Sequence, residues 1–227
     1  MKPVASRLGA VAFDLDGTLV DSAPDIANAL NLALQGAGLR GFDLETVRGW
    51  VGAGPDATIA RALAAQGRGG AEEALRLRLR HSFEAATLAA PLQFGAVYEG
   101  IAALLAGLQG VLPLVVVTNK PTLLARAVLS AGGLLPALAA VHGADTPAQR
   151  KPSPLLLRRA AEELGVRTEA LLMVGDGPPD IAAARAAGCP AAQVAWGCGP
   201  IASSDGGVWH VATPQHLLAS VLGRHHS

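Results

Sequence analysis

A chain of 227 residues, 51% hydrophobic and 16% charged, holds ample apolar material for a core of one large domain, or one domain with a smaller insert, and disorder is excluded. Eighteen basic residues against eighteen acidic ones leave no electrostatic footprint for nucleic acid. Cys189 and Cys198 cannot build a disulfide framework, no Cys/His group has zinc spacing, and no secretory signal is visible, so a cytoplasmic protein is expected.

In chain order, the first element is "LGAVAFDLD", a near-continuously apolar run expected as a buried strand. It ends in two carboxylates, Asp14 and Asp16, followed at once by Gly17 and Thr18. Like charges two residues apart beside an apolar strand need something positive to neutralise them. From Pro24 to about Leu92 no convincing strand occurs. Pro24 to Leu34 carries Ile26, Leu30, Ala33 and Leu34 at helical spacing, Pro55 opens a second helix with Ile59 and Leu63, and Ala71 to Leu88 is a third. Arg76, Arg78 and Arg80 on that third helix read as a solvated face partly paired with Glu72 and Glu73. Between the helices, "GWVGAG" sets Gly49, Gly52 and Gly54 around Trp50, a loop expected to approach the site and help choose the substrate.

Residues 100–119 are uncharged and long enough for a bilayer, but three glycines, Pro113 and Asn119 split them into a helix at Ile101 to Leu108 and a strand at Leu114 to Thr118. Strands follow at "LAAVHGA", "LLMVGD" and "AAQVAWG", separated by helices at Leu123 to Ser130, Pro154 to Leu164 and Pro178 to Ala187. Apolar strands separated by helices predict an α/β fold: a Rossmann-like, doubly wound parallel sheet with a small all-helical insert after its first strand. The expected division is a core of residues 1–20 and 93–227 and a cap of residues 21–92.

Open parallel sheets bind ligands beyond the carboxyl ends of their strands. Asp14 and Asp16, Thr118 and Asn119, and Asp176 all fall at such ends. The carboxylates are hard oxygen ligands suited to Mg²⁺. One of the first pair could act as a nucleophile and the other as a general acid and base. Gly17 permits a tight turn and could offer its N–H to a phosphate oxygen. Of three lysines, Lys2, Lys120 and Lys151, the last two are the candidates near the site, and Lys151, before Pro152, could supply a positive charge for a phosphoryl group.

"DLDGTLVDS", "VVVTNKP", "KPSPLLL" and "VGDGPPDIAAARAAGC", in that order, resemble the four motifs of the haloacid dehalogenase superfamily and most closely its phosphoglycolate phosphatase branch. "WVGAGPDATIARAL" fits the cap of that branch. The resemblance implies Asp14 as nucleophile, Asp16 as general acid and base, and Mg²⁺ held by Asp14, the Asp16 carbonyl and Asp176. It implies Thr118 at the phosphoryl oxygens with Asn119 beside it, Asp180 supporting the metal site, and, since Lys-Pro opening a helix is the third motif, Lys151 bridging Asp14 and the phosphate, with Lys120 left as a rim charge. Gly177 stands where the branch usually has Ser or Thr, which implies retuned metal binding rather than lost activity. The expected reaction is hydrolysis of a small phosphorylated metabolite, foremost 2-phosphoglycolate, by a monomer or homodimer without nucleic acid or membrane. The acid at Asp16 disfavours a dehalogenase, and a lysine-free insert excludes a Schiff-base phosphonate hydrolase. A phosphoglucomutase-like transferase, a phosphatase for other sugar phosphates or nucleotides, and a non-catalytic binding protein remain as alternatives.

Overall fold

The computed structural model describes residues 7–200 and 207–225; Lys2 and His226 lie outside them. Six strands form one parallel sheet: β1 (Ala10–Phe13), β4 (Leu114–Thr118), β5 (Ala140–Gly143), β6 (Leu171–Gly175), β7 (Ala191–Val194) and β8 (Val208–Val211). Their order is β5-β4-β1-β6-β7-β8. The chain runs outward from β1 through β4 to β5, then returns to β6 on the other flank of β1. Connections therefore diverge at the carboxyl end of β1, the switch point where such sheets open a crevice. The five expected strands are present, and β8 is an addition.

Alternation along each strand feeds two cores. Val11 and Phe13 of β1, Leu114 and Val116 of β4, and Leu172 and Val174 of β6 face one side. There they meet α5 (Ile101–Leu108), α6 (Thr122–Ala131) and α9 (Pro214–His225). Ala10, Ala12, Val115, Val117, Leu171 and Met173 face the other side, against α7 (Leu155–Glu163) and α8 (Pro178–Ala187). Burial on both faces accounts for the unbroken apolar runs.

The helical insert comprises α1 (Ala23–Gly36), α2 (Leu44–Arg48), α3 (Pro55–Ala64) and α4 (Glu73–Ala89). It has its own apolar cluster, built from Leu30, Leu34, Val47, Leu63, Leu79 and Phe83, with Leu124 of α6 joining from the sheet side. Trp50 packs against this cluster, its ring edge-on to Phe42 at 5.0 Å between centroids. The chain leaves and re-enters the core through a two-stranded antiparallel ribbon, β2 (Val20–Asp21) with β3 (Ala96–Val97). Asp25 at the start of α1 fixes the return, accepting N–H bonds from Gln93, Phe94 and Gly95 at 2.8–2.9 Å.

One expectation about the insert is corrected. Arg80 is not a solvated partner of Glu72 or Glu73; it pairs with Glu84 one turn on and with Asp56 of α3. Arg76 donates to the carbonyls of Gly69 and Ala71. These guanidiniums staple the connection between α3 and α4. No helix among the described residues is long and apolar enough to cross a membrane.

Candidate active site

Three neighbouring strands deliver the polar residues. Asp14 follows β1 directly, Thr118 ends β4, and Asp176 follows β6, so adjacent ladders fix their backbones. Asp14, Asp176 and Asp180 each place a carboxylate oxygen within 4.8 Å of the others, and all three are buried. Lys151 stands among them: its Nζ lies 2.8 Å from Asp14 Oδ1 and 2.5 Å from Asp180 Oδ1, and donates to the Val117 carbonyl at 3.0 Å. An ammonium has three protons, and all three are engaged. Lys151 must therefore release one acceptor before it can touch a phosphoryl oxygen.

The carboxylates are held unequally. Asp14 Oδ1 accepts from Leu15 N–H at 2.7 Å as well as from Lys151. Asp176 Oδ2 accepts from the N–H groups of Cys198 and Gly199 at 2.8 and 2.9 Å. Asp180 accepts Lys151 on Oδ1 and Gly177 N–H on Oδ2 at 3.1 Å, so both of its oxygens are occupied within the protein. That set makes Asp180 the anchor of Lys151 and leaves Asp14 and Asp176 the less committed oxygens.

Three carboxylates against one ammonium leave two excess negative charges in a buried site. Burial, more than any neighbour, pushes the Asp14 carboxyl up to about 7; Lys151 opposes this and Asp180 adds to it. Burial and then Asp14 push Asp176 up to about 6, opposed by the Gly199 and Cys198 N–H groups. Asp180 is raised by burial, with Lys151 opposing. Burial would lower Lys151, but Asp14 and Asp180 outweigh it and hold the ammonium charged. The strain thus lies on the surplus carboxylates, while the ammonium is secure. Hard oxygen donors with two uncompensated negative charges fit a divalent cation.

Asp16 adds a little to the Asp14 shift but has a counter-ion of its own. Both of its oxygens lie 2.9 Å from Lys120 Nζ, and Oδ1 accepts Ser22 Oγ at 2.5 Å. Lys120 is 5% exposed, so it is not a rim charge: it is the buried counter-ion of Asp16, under the cap loop that carries Val51, Gly52 and Gly54. Asp14 and Asp16, two residues apart, are thus each neutralised by a lysine of their own, Lys151 and Lys120.

Gly17 has φ +87°, and a Cβ there would run into the Asp176 carboxylate, so only glycine fits. Its N–H donates to Val20 O at 2.9 Å, closing the turn after Asp16. Thr118 is buried, its Oγ1 accepting from Lys120 N–H at 3.2 Å. Asn119 works as a bracket: Oδ1 accepts Lys151 N–H at 2.7 Å and Nδ2 donates to Gly52 O of the cap at 2.9 Å. Gly177 sits at the N-cap of α8 in extended backbone that any residue adopts, so geometry does not demand glycine there.

Asp14, Asp176 and Asp180 open into a cavity of about 240 Å³. Its far wall comes from the cap: Arg48, Gly49, Val51, Gly52, Ala53 and Arg61. Arg48 is paired in bidentate fashion with Asp21 of β2, at 2.9 and 3.2 Å, and approaches Cys198 Sγ at 3.5 Å. A larger depression between residues 109–114 and 136–139 lies at the opposite ends of the strands and has no titratable lining. Of the sequence-predicted residues, Asp14, Asp176, Asp180 and Lys151 are brought together, with Asn119 bonded to the Lys151 backbone. Asp16 is paired with Lys120. Lys120, Arg48, Arg61 and the 198–199 amides were not foreseen.

The sequence matches the family described as "Hydrolase: haloacid dehalogenase-like hydrolase" over residues 8–188. The chain belongs to the haloacid dehalogenase-like hydrolases. A phosphoglycolate phosphatase of Rhodospirillum rubrum is 44% identical over 202 residues, covering 86% of this chain and 83% of that protein. One of Chromobacterium violaceum is 40% identical over 194 residues, covering 84% and 86%. A crystal structure of a predicted phosphoglycolate phosphatase from Haemophilus somnus superposes with a TM-score of 0.86 at 28% identity, covering 96% of this chain and 99% of the other. Both the Rossmann-like core and the helical insert of this hydrolase lie within that overlap.

Proposed function

We propose that the protein is a Mg²⁺-dependent phosphomonoesterase whose substrate is 2-phosphoglycolate, hydrolysed to glycolate and phosphate. The observation that carries this is the buried group of Asp14, Asp176 and Asp180, with ligand atoms within 4.8 Å, beside a Lys151 ammonium 2.8 Å from Asp14. The names of the relatives at 44% and 40% identity support the substrate. On this reading Asp14, Asp176 and the Asp16 carbonyl hold the cation, which supplies charge neutralisation for the phosphoryl oxygens.

The chain's own residues then divide the work. Asp14 Oδ2 attacks phosphorus, and the ester oxygen leaves with a proton from Asp16, which acts in its acid form once it has parted from Lys120 and taken up a proton. Water next attacks the aspartyl phosphate, gives its proton to Asp16 and releases phosphate. Lys151 steadies Asp14 and exchanges an internal acceptor for a phosphoryl oxygen, with Thr118 and Asn119 beside it. Proton transfer requires the Asp16–Lys120 pair to loosen. Residues 21–92 act as the cap and exclude water on closing, consistent with a cytoplasmic enzyme working on a small metabolite.

The test is phosphate release from a panel of small phosphorylated acids, sugars and nucleotides, with Mg²⁺ and after chelation, against an Asp14→Asn control. Turnover of 2-phosphoglycolate that needs the cation and Asp14 is expected. Absence of turnover with every ester would replace the enzyme by a binding protein on the same scaffold.

A further inference from the structure

We infer that Arg61 determines specificity by reading the carboxylate of the substrate's leaving group; the inference rests on the phosphatase reading above. The argument begins with the asymmetry of the cavity. Its sheet side carries the carboxylates Asp14, Asp176 and Asp180. Its cap side carries no acidic lining residue and two arginines, Arg48 and Arg61, set among small or apolar residues. At about 240 Å³ the space lies below the range of drug-sized ligand pockets and suits a phosphoryl group with a few further atoms. Cations opposite the phosphoryl site leave a neutral leaving group unrewarded and favour a short acid.

The two arginines are not equivalent. Arg48 is committed: two of its nitrogens meet the Asp21 carboxylate, which already neutralises it. Arg61 makes one hydrogen bond, from Nη1 to the Trp50 carbonyl at 3.3 Å, and faces no carboxylate in any ion pair of the described residues. An arginine on a surface helix is ordinarily just solvated. Arg61 differs because the same side chain lines the cavity that holds the carboxylates, and because its tether runs to the loop of Gly49–Gly52 that forms the cap wall. A planar fork there can take a carboxylate on two donors, which a lysine cannot copy.

The experiment compares 2-phosphoglycolate with 2-hydroxyethyl phosphate, which replaces the carboxylate by a hydroxymethyl group. The quantity read is the ratio of kcat/KM for the acid over that for the neutral ester. In Arg61→Gln that ratio is expected to fall about 10-fold, the loss typical of a hydrogen bond to a charged group. Arg61→Lys should retain an intermediate ratio. Arg61 is exposed with a single weak bond, so neither change threatens folding, and an unshifted melting temperature checks this. If the parent protein hydrolyses both esters and Arg61→Gln leaves the ratio unchanged, the inference is overturned and the phosphatase reading stands. If the parent hydrolyses neither, the reading of 2-phosphoglycolate as substrate falls and the inference with it.

Discussion

On the sheet side of the cavity the functional side chains are fixed by ladders and by each other; on the cap side they hang from a loop and two short helices. Asp14 and Asp176 leave adjacent parallel strands, and Asp180 and Lys151 are locked by an ion pair at 2.5 Å. Across the gap, Gly52 has φ +86° with open space where a Cβ would project, and Arg61 is exposed. The rigid side carries stored electrostatic cost, and the adaptable side carries none. Chemistry that repeats unchanged needs the first kind of wall, and selection among leaving groups needs the second.

The comparison breaks first at Asp14. Asp14→Asn removes the proposed nucleophile, and phosphate release should fall by about 10⁴-fold or more. It also removes one surplus negative charge, so the same variant should melt at a higher temperature than the parent at pH 8 after chelation. Loss of rate together with gain of stability marks a site strained for function. A variant that lost both would mean that Asp14 is simply a core ligand of Lys151.

Next in size is the balanced pair on the same side. Lys120→Met leaves Asp16 buried without its counter-ion, and stability should drop by about 3 kcal/mol in denaturant unfolding. Asp16→Asn with Lys120→Met together should cost less than Lys120→Met alone. If Lys120→Met is silent in stability, the ion pair is not what holds Asp16.

The surplus charge gives a pH signature. Asp14 and Asp176 are raised to about 7 and about 6, above their value near 4 in an unfolded chain. Between those limits the folded form binds more protons than the unfolded one. Stability of the chelated protein should therefore fall as pH rises from about 4 to about 7 and level off above, by on the order of 2 kcal/mol since the carboxylates titrate together. Added Mg²⁺ should restore more stability at pH 8 than at pH 5. Calorimetric melting across that range reads both slopes, and a flat curve would place the compensating charge inside the protein.

How much of this was legible depends on how local the signal is. Apolar runs ending in Asp14, Thr118 and Asp176 announce the sheet edge, because strand burial and strand end are both written within a few residues. The ribbon of β2 and β3 is unreadable from sequence: two-residue strands far apart in the chain, Val20 against Val97 at the first rung, exist only through each other. β8 reads "VWHV" with partly exposed positions at a sheet edge and has no apolar run to mark it. Lys120 escaped because its partner, Asp16, is 104 residues away and nothing near "TNKP" tells a buried lysine from a solvated one. Arg61 escaped for the same reason, as one arginine among many on helices, distinguished only by the cavity it faces.

The smallest expected effect tests how the two walls meet. Asp56 of α3 pairs with Arg80 inside the cap and with Arg150, the neighbour of Lys151, on the sheet side. Its side chain is 44% exposed, so each pair is screened and worth at most about 1 kcal/mol. Asn119 supplies the other link, from Gly52 O to the Lys151 backbone. If Asp56–Arg150 helps hold the cap closed, Arg150→Gln should raise KM about 2-fold while hardly moving the melting temperature, and added salt should mimic it. Arg80→Gln breaks only the pair within the cap and should lower stability slightly without touching KM. The double change Asp56→Asn with Arg150→Gln should then cost no more in KM than either alone, because both remove the same contact. Equal effects of Arg80→Gln and Arg150→Gln on KM would show that Asp56 merely shapes α3, and that cap and sheet meet through Asn119 instead.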